Sequence, residues 1–150
     1  MMAAVTCMAV AIYFEARNQP VAGQLAVAYV ISNRVASKHY PGTVCEVIQQ
    51  GPVHKSGHPV KHRCQFSFWC DGKPETVQDY NAWQTAVRVA TVVAGTGISK
   101  PERMAEGETP AVGVDVSEGA THYHTTDVSP KWRYTMQMTA HIGDHLFYKP

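Results

Sequence analysis

A mainly helical α+β domain with a small sheet is what this chain predicts, and three features carry that expectation. An apolar helical pair occupies residues 3 to 37, broken only around Asn18 and Pro20. A further helical segment follows at 77 to 94. Two short aromatic runs, "QFSFW" and "ATHYHT", lie between turn signals and read as strands. At 150 residues the chain suits one domain, residues 1–150, rather than two.

The first helix is predicted from about Ala3 to Arg17. It is apolar nearly all round, which marks a helix enclosed by a core rather than one lying on a surface. Pro20 suits the first turn of a second helix, with Asn18 or Gln19 as its cap. That helix runs to about Ser37 on a stripe of Leu25, Val27, Ala28, Ile31 and Val35, interrupted by Gln24, Asn33 and Arg34. A turn at Pro41–Gly42 precedes a short helix, Val44 to Gln49. Residues 51–63 are rich in Gly, Pro and His and read as a loop. "QFSFW" follows as a strand, ended by the turn "CDGKP". The next helix spans Val77 to Ala94, with Trp83, Val87 and Val93 facing inward and Gly95 and Gly97 stopping it. Residues 98–119 have no clear period and read as an irregular insert. "ATHYHT" is a strand, and the chain closes with a loop and a short segment ending on Phe147–Tyr148.

Composition removes several classes of function. Net charge is +1, the pI about 7.7, and charged residues make up only 17%. Such a chain has no field to gather nucleic acid, and a monomer is expected. The opening run "MMAAVTCMAVAIYF" is 14 residues long, short of the roughly 20 that span a bilayer. No Lys or Arg precedes Arg17, so the basic region of a secretion signal is missing. The run reads as a buried helix that begins the folded domain, without stable membrane insertion. Cys7, Cys45, Cys64 and Cys70 pair in any of three ways. A Cys64–Cys70 bridge demands a tight bend, because an extended "QFSFW" separates its ends by about 20 Å. Cys7 also suits the role of a small apolar core residue.

Glu15 is the lone acid at the end of the most apolar segment. Burial beside Tyr13 and Phe14 disfavours its charged form and raises its pKa. A carboxylic acid kept protonated near neutral pH can protonate a glycosidic oxygen. The plainer alternative pairs Glu15 with Arg17, Arg34 or another cation at the edge of the core. Histidines suggest a second chemistry. His122 and His124 share a strand face, His141 and His145 would share a helix face, and such a set can hold zinc. Against this, "HIGDH" lacks the glutamate of H-E-x-x-H, and Gly143 weakens the helix it needs. Aromatic and polar side chains suggest a saccharide cleft, because sugar rings pair flat apolar faces with hydroxyl rims. Gln65, Ser67, Trp69, Tyr123, His124 and Trp132 suit such a cleft. On a strand, Phe66 and Phe68 share one face, read here as core, and Gln65, Ser67 and Trp69 the other, read as the cleft; the pattern alone allows either face to be the buried one. No G-x-S-x-G, no recognisable catalytic cysteine and no Gly-rich phosphate loop is present.

Five segments occur in one order: "IYFEARNQPVAGQLAVAYVISNRV", "TVCEVI", "CQFSFWCDG", "GATHYHTTDVSPKW" and "HIGDHLFY". Together they resemble the SleB-type cell wall hydrolase family, which includes spore cortex-lytic enzymes, from Cys7 to Tyr148. The resemblance implies an α+β, mainly helical, lysozyme-like and lytic-transglycosylase-like domain with a small antiparallel sheet. It implies cleavage of peptidoglycan glycan strands between N-acetylmuramic acid and N-acetylglucosamine, without a cofactor or metal. The family's catalytic acid falls on Glu15, within "FEAR". Where the family often reads "EARGE", this chain reads "EARNQ", so Gln19 replaces a second glutamate. A lytic transglycosylase needs only one acid. Hydrolysis by water needs a second carboxylate, for which Asp71 and Asp127 are the candidates. A zinc amidase or peptidase built on His122, His124 and His145 is the more distant alternative. With no secretion signal and no separate wall-binding module evident, the bare domain suits a phage-type endolysin, made in a host cytoplasm and released to the wall at lysis.

Overall fold

The computed structural model describes residues 3–95 and 114–150. Residues 98–113 of the expected insert lie outside the described residues. Helix α1 spans Ala4–Ala16, α2 Val21–Ala36, α3 Val44–Ile48 and α4 Tyr80–Ala94. Three strands follow: β1 His122–Thr125, β2 Gln137–Ile142 and β3 His145–Lys149. They form one antiparallel sheet in the order β1-β3-β2. The architecture is therefore α+β and mainly helical, with a small antiparallel sheet.

Helix α1 is the centre of the molecule, as its all-round apolar sequence requires. Met8, Ala9, Ala11 and Ile12 are fully buried. It packs on α4, α2 and α3. Ala9, Ala16, Ala86 and Ala90 are also enclosed, and small side chains let helices approach closely. Burial of a side chain such as Ile12 or Phe147 is worth about 1.5–3 kcal/mol. A helix cap is worth about 1 kcal/mol, so packing decides where the helices lie and caps decide where they begin.

The caps explain two boundary differences. Helix α4 starts at Tyr80 rather than Val77 because the Asp79 side chain accepts a hydrogen bond from the Ala82 amide at 3.0 Å. The same entry is fixed by Tyr13, whose hydroxyl accepts from the amides of Gln78 and Asp79, each at 3.0 Å. Pro20 stands at the N-cap of α2, one position before the first helical turn expected for it. At α3, the Thr43 hydroxyl oxygen caps the helix by accepting from the Glu46 amide, and the hydroxyl donates to the Glu46 carboxylate.

The strand expected at "QFSFW" is instead a single 3-10 turn, Ser67–Cys70. Cys64 and Cys70 are bonded across it, with Cα atoms 6.1 Å apart. That closure cannot hold an extended segment, so the bridge and the bend come together. The other disulfide, Cys7–Cys45, ties α1 to α3. The core placement of the two phenylalanines survives the change of conformation, since Phe66 and Phe68 are both buried.

The closing segment is a hairpin rather than a loop with one short element. Ile142 pairs with His145, leaving Gly143 and Asp144 as a two-residue loop. Gly143 has φ +57°, the first-position glycine of a type II′ turn. His141 and His145 thus lie on neighbouring strands, with His141 exposed and His145 buried. Strand β1 is delivered by a loop built around Asp115, which accepts from Asn33, the amide and hydroxyl of Ser117, and the Gly119 amide.

A Cβ at Gly143 would collide with Gln19 Oε1 and lie 3.0 Å from Pro20 Cδ. At Gly119, also at positive φ, a Cβ would meet nothing within 4 Å. Gly119→Ala should therefore cost only the left-handed backbone term, about 1–2 kcal/mol. Gly143→Ala should cost more than Gly119→Ala in urea unfolding, and equal losses would contradict this packing.

Candidate active site

Glu15 occupies the last turn of α1, half-buried. The chain reverses after Arg17 and passes through Gln19 into α2, so the carboxyl faces out of the helical core towards the sheet. Tyr123 of β1 donates its hydroxyl to Glu15 Oε2 at 2.9 Å. With Oε2 accepting, Oε1 is left to carry a proton that can be given away.

Desolvation is the largest influence on Glu15 and raises its pKa above the ordinary 4.5. The Tyr123 hydrogen bond and the charge of Arg34 act in the opposite direction. Burial and the neighbouring Glu15 raise the Tyr123 phenol well above its ordinary value, so it stays a hydrogen-bond donor.

Three cavities meet at Glu15. The largest, about 760 Å³, is lined by Phe14, Phe68, Ser67, Asp71, Lys73 and Gln78 among others. Phe14 and Phe68 stack at 5.3 Å in its wall. The second, about 290 Å³, lies between Arg34, Gln65, Ser67, His122, Tyr123, His124 and Trp132. The third, about 390 Å³, is bounded by Asn18, Gln19, Thr125, Asp127, Asp144 and His145. A linear polymer could approach the acid from more than one side through these limbs.

Of the side chains expected to bind sugar, Gln65, Ser67, Tyr123, His124 and Trp132 line the second cavity with Glu15. Trp69 is brought elsewhere: it packs, half-buried, against the core and does not line these three cavities. The strand pattern grouped it with Gln65 and Ser67, and the 3-10 turn separates them. Tyr123 serves less as a platform than as the partner of the acid. Trp132 packs beside His122, His124 and Tyr148, with ring centres 5.2–5.7 Å away.

The histidines are held by neighbours. His124 contacts the Thr125 carbonyl through Nδ1 at 2.7 Å and the Tyr148 hydroxyl through Nε2 at 3.0 Å. A carbonyl only accepts, so Nδ1 carries the proton and Nε2 is engaged by Tyr148. His122 is lowered by burial and then by Arg34, and its Nδ1 meets Thr121 Oγ1 at 2.9 Å. His145 lies against the Tyr123 ring at 5.0 Å, in the third cavity. Among the described residues no three potential metal ligands converge.

Arg34 is the residue whose role the sequence left open. It is the lone charge of α2, as Glu15 is of α1, and both line the second cavity. That shared oddity was a usable signal. Arg34 is buried, donates from Nε to the Thr121 carbonyl at 2.7 Å, and lies over the rings of Tyr40 and Phe66. It forms no ion pair with Glu15, and instead biases the acid's ionisation through space.

Fold and site together describe an α+β domain with one desolvated carboxyl at the meeting point of three cavities. The Cell Wall Hydrolase family model matches residues 18–148, and the chain belongs to that family. The match begins just after Glu15. A spore cortex-lytic enzyme of Bacillus cereus is 52% identical over 143 residues, 95% of this chain and 42% of that protein. One from Halalkalibacterium halodurans is 29% identical over 141 residues, 93% of this chain and 33% of that protein. The chain thus spans less than half the length of these relatives. Among solved structures, the catalytic domain of the germination-specific lytic transglycosylase SleB from Bacillus anthracis has a TM-score of 0.64 at 28% identity, covering 97% of this chain and 93% of that one. The catalytic domain of the Bacillus cereus SleB protein gives 0.61 at 27% identity, covering 97% and 89%.

A carboxyl with a raised folded-state pKa contributes stability that is full below the ordinary value of 4.5 and lost as pH rises through the folded value. Glu15→Gln removes that titration. The variant should therefore gain stability relative to wild type as pH rises from about 4 to 8. A stability difference that does not change with pH, measured by urea unfolding, would contradict a raised Glu15.

Proposed function

We propose that this chain degrades peptidoglycan by cleaving the bond from N-acetylmuramic acid to N-acetylglucosamine as a lytic transglycosylase, with Glu15 as acid and then base. The observation that carries this reading is the half-buried Glu15 carboxyl, raised by desolvation, with its Oε2 fixed by Tyr123 at the junction of three cavities. Membership of the cell wall hydrolase family supports the substrate.

In the first step Glu15 protonates the glycosidic oxygen, and the bond from muramic C1 to that oxygen breaks. Glu15 is now a carboxylate, favoured by the Tyr123 hydroxyl and by Arg34. In the second step it takes the proton of the muramic C6 hydroxyl, whose oxygen bonds to C1. The product is a 1,6-anhydro ring, no water is consumed, and Glu15 is protonated again. Acid in one direction and base in the next is the same proton transfer run at two oxygens.

Other carboxylates reach the cavities: Glu75 lines the largest beside Asp71, and Asp71, Asp127 and Asp144 are each engaged locally. Asp71 accepts from the Lys73 amide at 2.8 Å. Asp127 accepts from the Thr125 hydroxyl. Asp144 accepts from Gln19 Nε2 at 3.0 Å. The second cavity has Glu15 as its lone carboxyl. This favours the one-acid route over a hydrolytic muramidase using Asp71 or Asp127. The zinc amidase reading on His122, His124 and His145 draws no support: His122 and His124 are hydrogen-bonded to Thr121, Thr125 and Tyr148, His145 Nδ1 is buried without a hydrogen-bond partner among the described residues, and no three potential ligands converge among them. The two disulfides fit work outside a reducing cytoplasm, as a cell wall substrate requires.

Digestion of purified sacculi followed by mass spectrometry tests the reaction. Fragments are expected to be one water lighter than hydrolytic fragments. Hydrated reducing ends would replace the transglycosylase reading with the muramidase, and release of free peptides would indicate an amidase. Glu15→Gln is expected to lower the rate by about 10²–10⁴-fold, and a variant as active as wild type would remove Glu15 from the mechanism.

A further inference from the structure

The Arg34 guanidinium is unusual in having so few partners. It is 7% exposed, yet among the described residues its one hydrogen bond is from Nε to the Thr121 carbonyl. The rings of Tyr40 and Phe66, at 5.0 and 5.6 Å, hold it in place without neutralising it. No carboxylate is paired with it among the described residues. A buried cation without a contact anion is costly, and an anion entering the cavity would relieve that cost.

The surroundings say what kind of anion. Arg34 shares the 290 Å³ cavity with Glu15, Gln65, Ser67, His122 and Trp132. Glu15 is uncharged when it is ready to act, and burial and Arg34 lower the His122 pKa. Arg34 is then the cavity's permanent cation. An aromatic side chain, amide and hydroxyl groups and one guanidinium together make a receptor for an acidic sugar.

We infer that the cavity shared by Glu15 and Arg34 binds the free lactyl carboxylate of a muramyl unit, so that the preferred substrate is glycan already stripped of its stem peptide. This rests on the proposed function. The muramyl ring is the one whose C1–O bond Glu15 would protonate, so its C3 lactyl group lies within one ring of the acid, where Arg34 stands. In peptide-bearing glycan that carboxyl is an amide and carries no charge. Arg34 would then discriminate between the two forms through charge and two-pronged hydrogen bonding. The reaction that supplies this substrate is an amide cleavage that releases the peptide and exposes the carboxylate.

Equilibrium binding tests this without relying on turnover. The Glu15→Gln protein is titrated calorimetrically with three probes. The first is a peptide-free tetrasaccharide of alternating N-acetylglucosamine and N-acetylmuramic acid. The second is the same glycan with its lactyl carboxyls converted to methylamides. The third is the glycan with intact stem peptides, whose anionic groups lie on the peptide. The free acid is expected to bind at least about tenfold tighter than the methylamide. Adding Arg34→Gln should abolish that difference, and Arg34→Lys should restore part of it. Equal binding of acid and methylamide, or no binding of any probe, overturns the inference even if Arg34→Gln fails to fold. Tightest binding of the peptide-bearing probe also overturns it, by assigning Arg34 to a peptide carboxylate. Activity of the wild-type chain on sacculi reports separately on the glycosidase reading.

Discussion

The hydrogen bond from Tyr123 to Glu15 joins the two halves of the molecule. Its partners lie 108 positions apart, one at the end of the core helix and one on the first strand. Tyr123 is set by pairing with Phe147 on the central strand, and Phe147 is fully buried. The position of the acid therefore depends on the register of the sheet. A one-residue slip would turn Tyr123 to the opposite face and leave the carboxyl without its donor. The Asp115 loop, anchored to Asn33 of α2, feeds β1 in at the required register. This gives a loop distant from the cavities a bearing on the site.

Three influences compete at the carboxyl. Desolvation pushes its pKa up, whereas the Tyr123 hydrogen bond and Arg34 push it down, and desolvation prevails. The two opponents both stabilise the ionised form that would follow the proposed proton donation. A site with desolvation alone would make a strong hold on the proton and a poor release. Arg34 and Tyr123 moderate it, and neither forms a contact ion pair that would abolish the acid's protonated state.

How much of this was legible depended on whether the signal was local. Helices α1, α2 and α4 were readable because apolar spacing reports burial directly, and Glu15 was conspicuous as the single charge in α1. "QFSFW" misled because a short aromatic run carries the same composition in a strand and in a tight turn. The deciding constraint was a disulfide whose pairing spacing alone does not settle. The hairpin β2–β3 was legible in principle, since Gln137 to Ile142 alternate polar and apolar residues ahead of the Gly143–Asp144 turn, but its half-exposed first strand was grouped with the preceding loop. Tyr123 was visible as an aromatic near a cleft, but its bond to Glu15 needed the sheet to be folded first. Arg34 carried the same local mark as Glu15, a lone charge in an apolar helix, and that mark meant proximity across space.

Gln19 shows how a departure from the resembled pattern is absorbed. Its Nε2 donates to Asp144 Oδ2 at 3.0 Å, while its Oε1 accepts from the Asp144 amide at 2.9 Å. An amide side chain makes both bonds at once. A glutamate in this place could accept from the amide, but when ionised it could not donate, and it would set two carboxylates against each other. Gly143 is required beside it because any Cβ there would collide with Gln19 Oε1. Gln19, Gly143 and Asp144 thus form one unit that clamps the hairpin turn to the start of α2 and walls the third cavity. In this chain, position 19 is suited to holding the site together, and the acid–base chemistry proposed for it rests on Glu15.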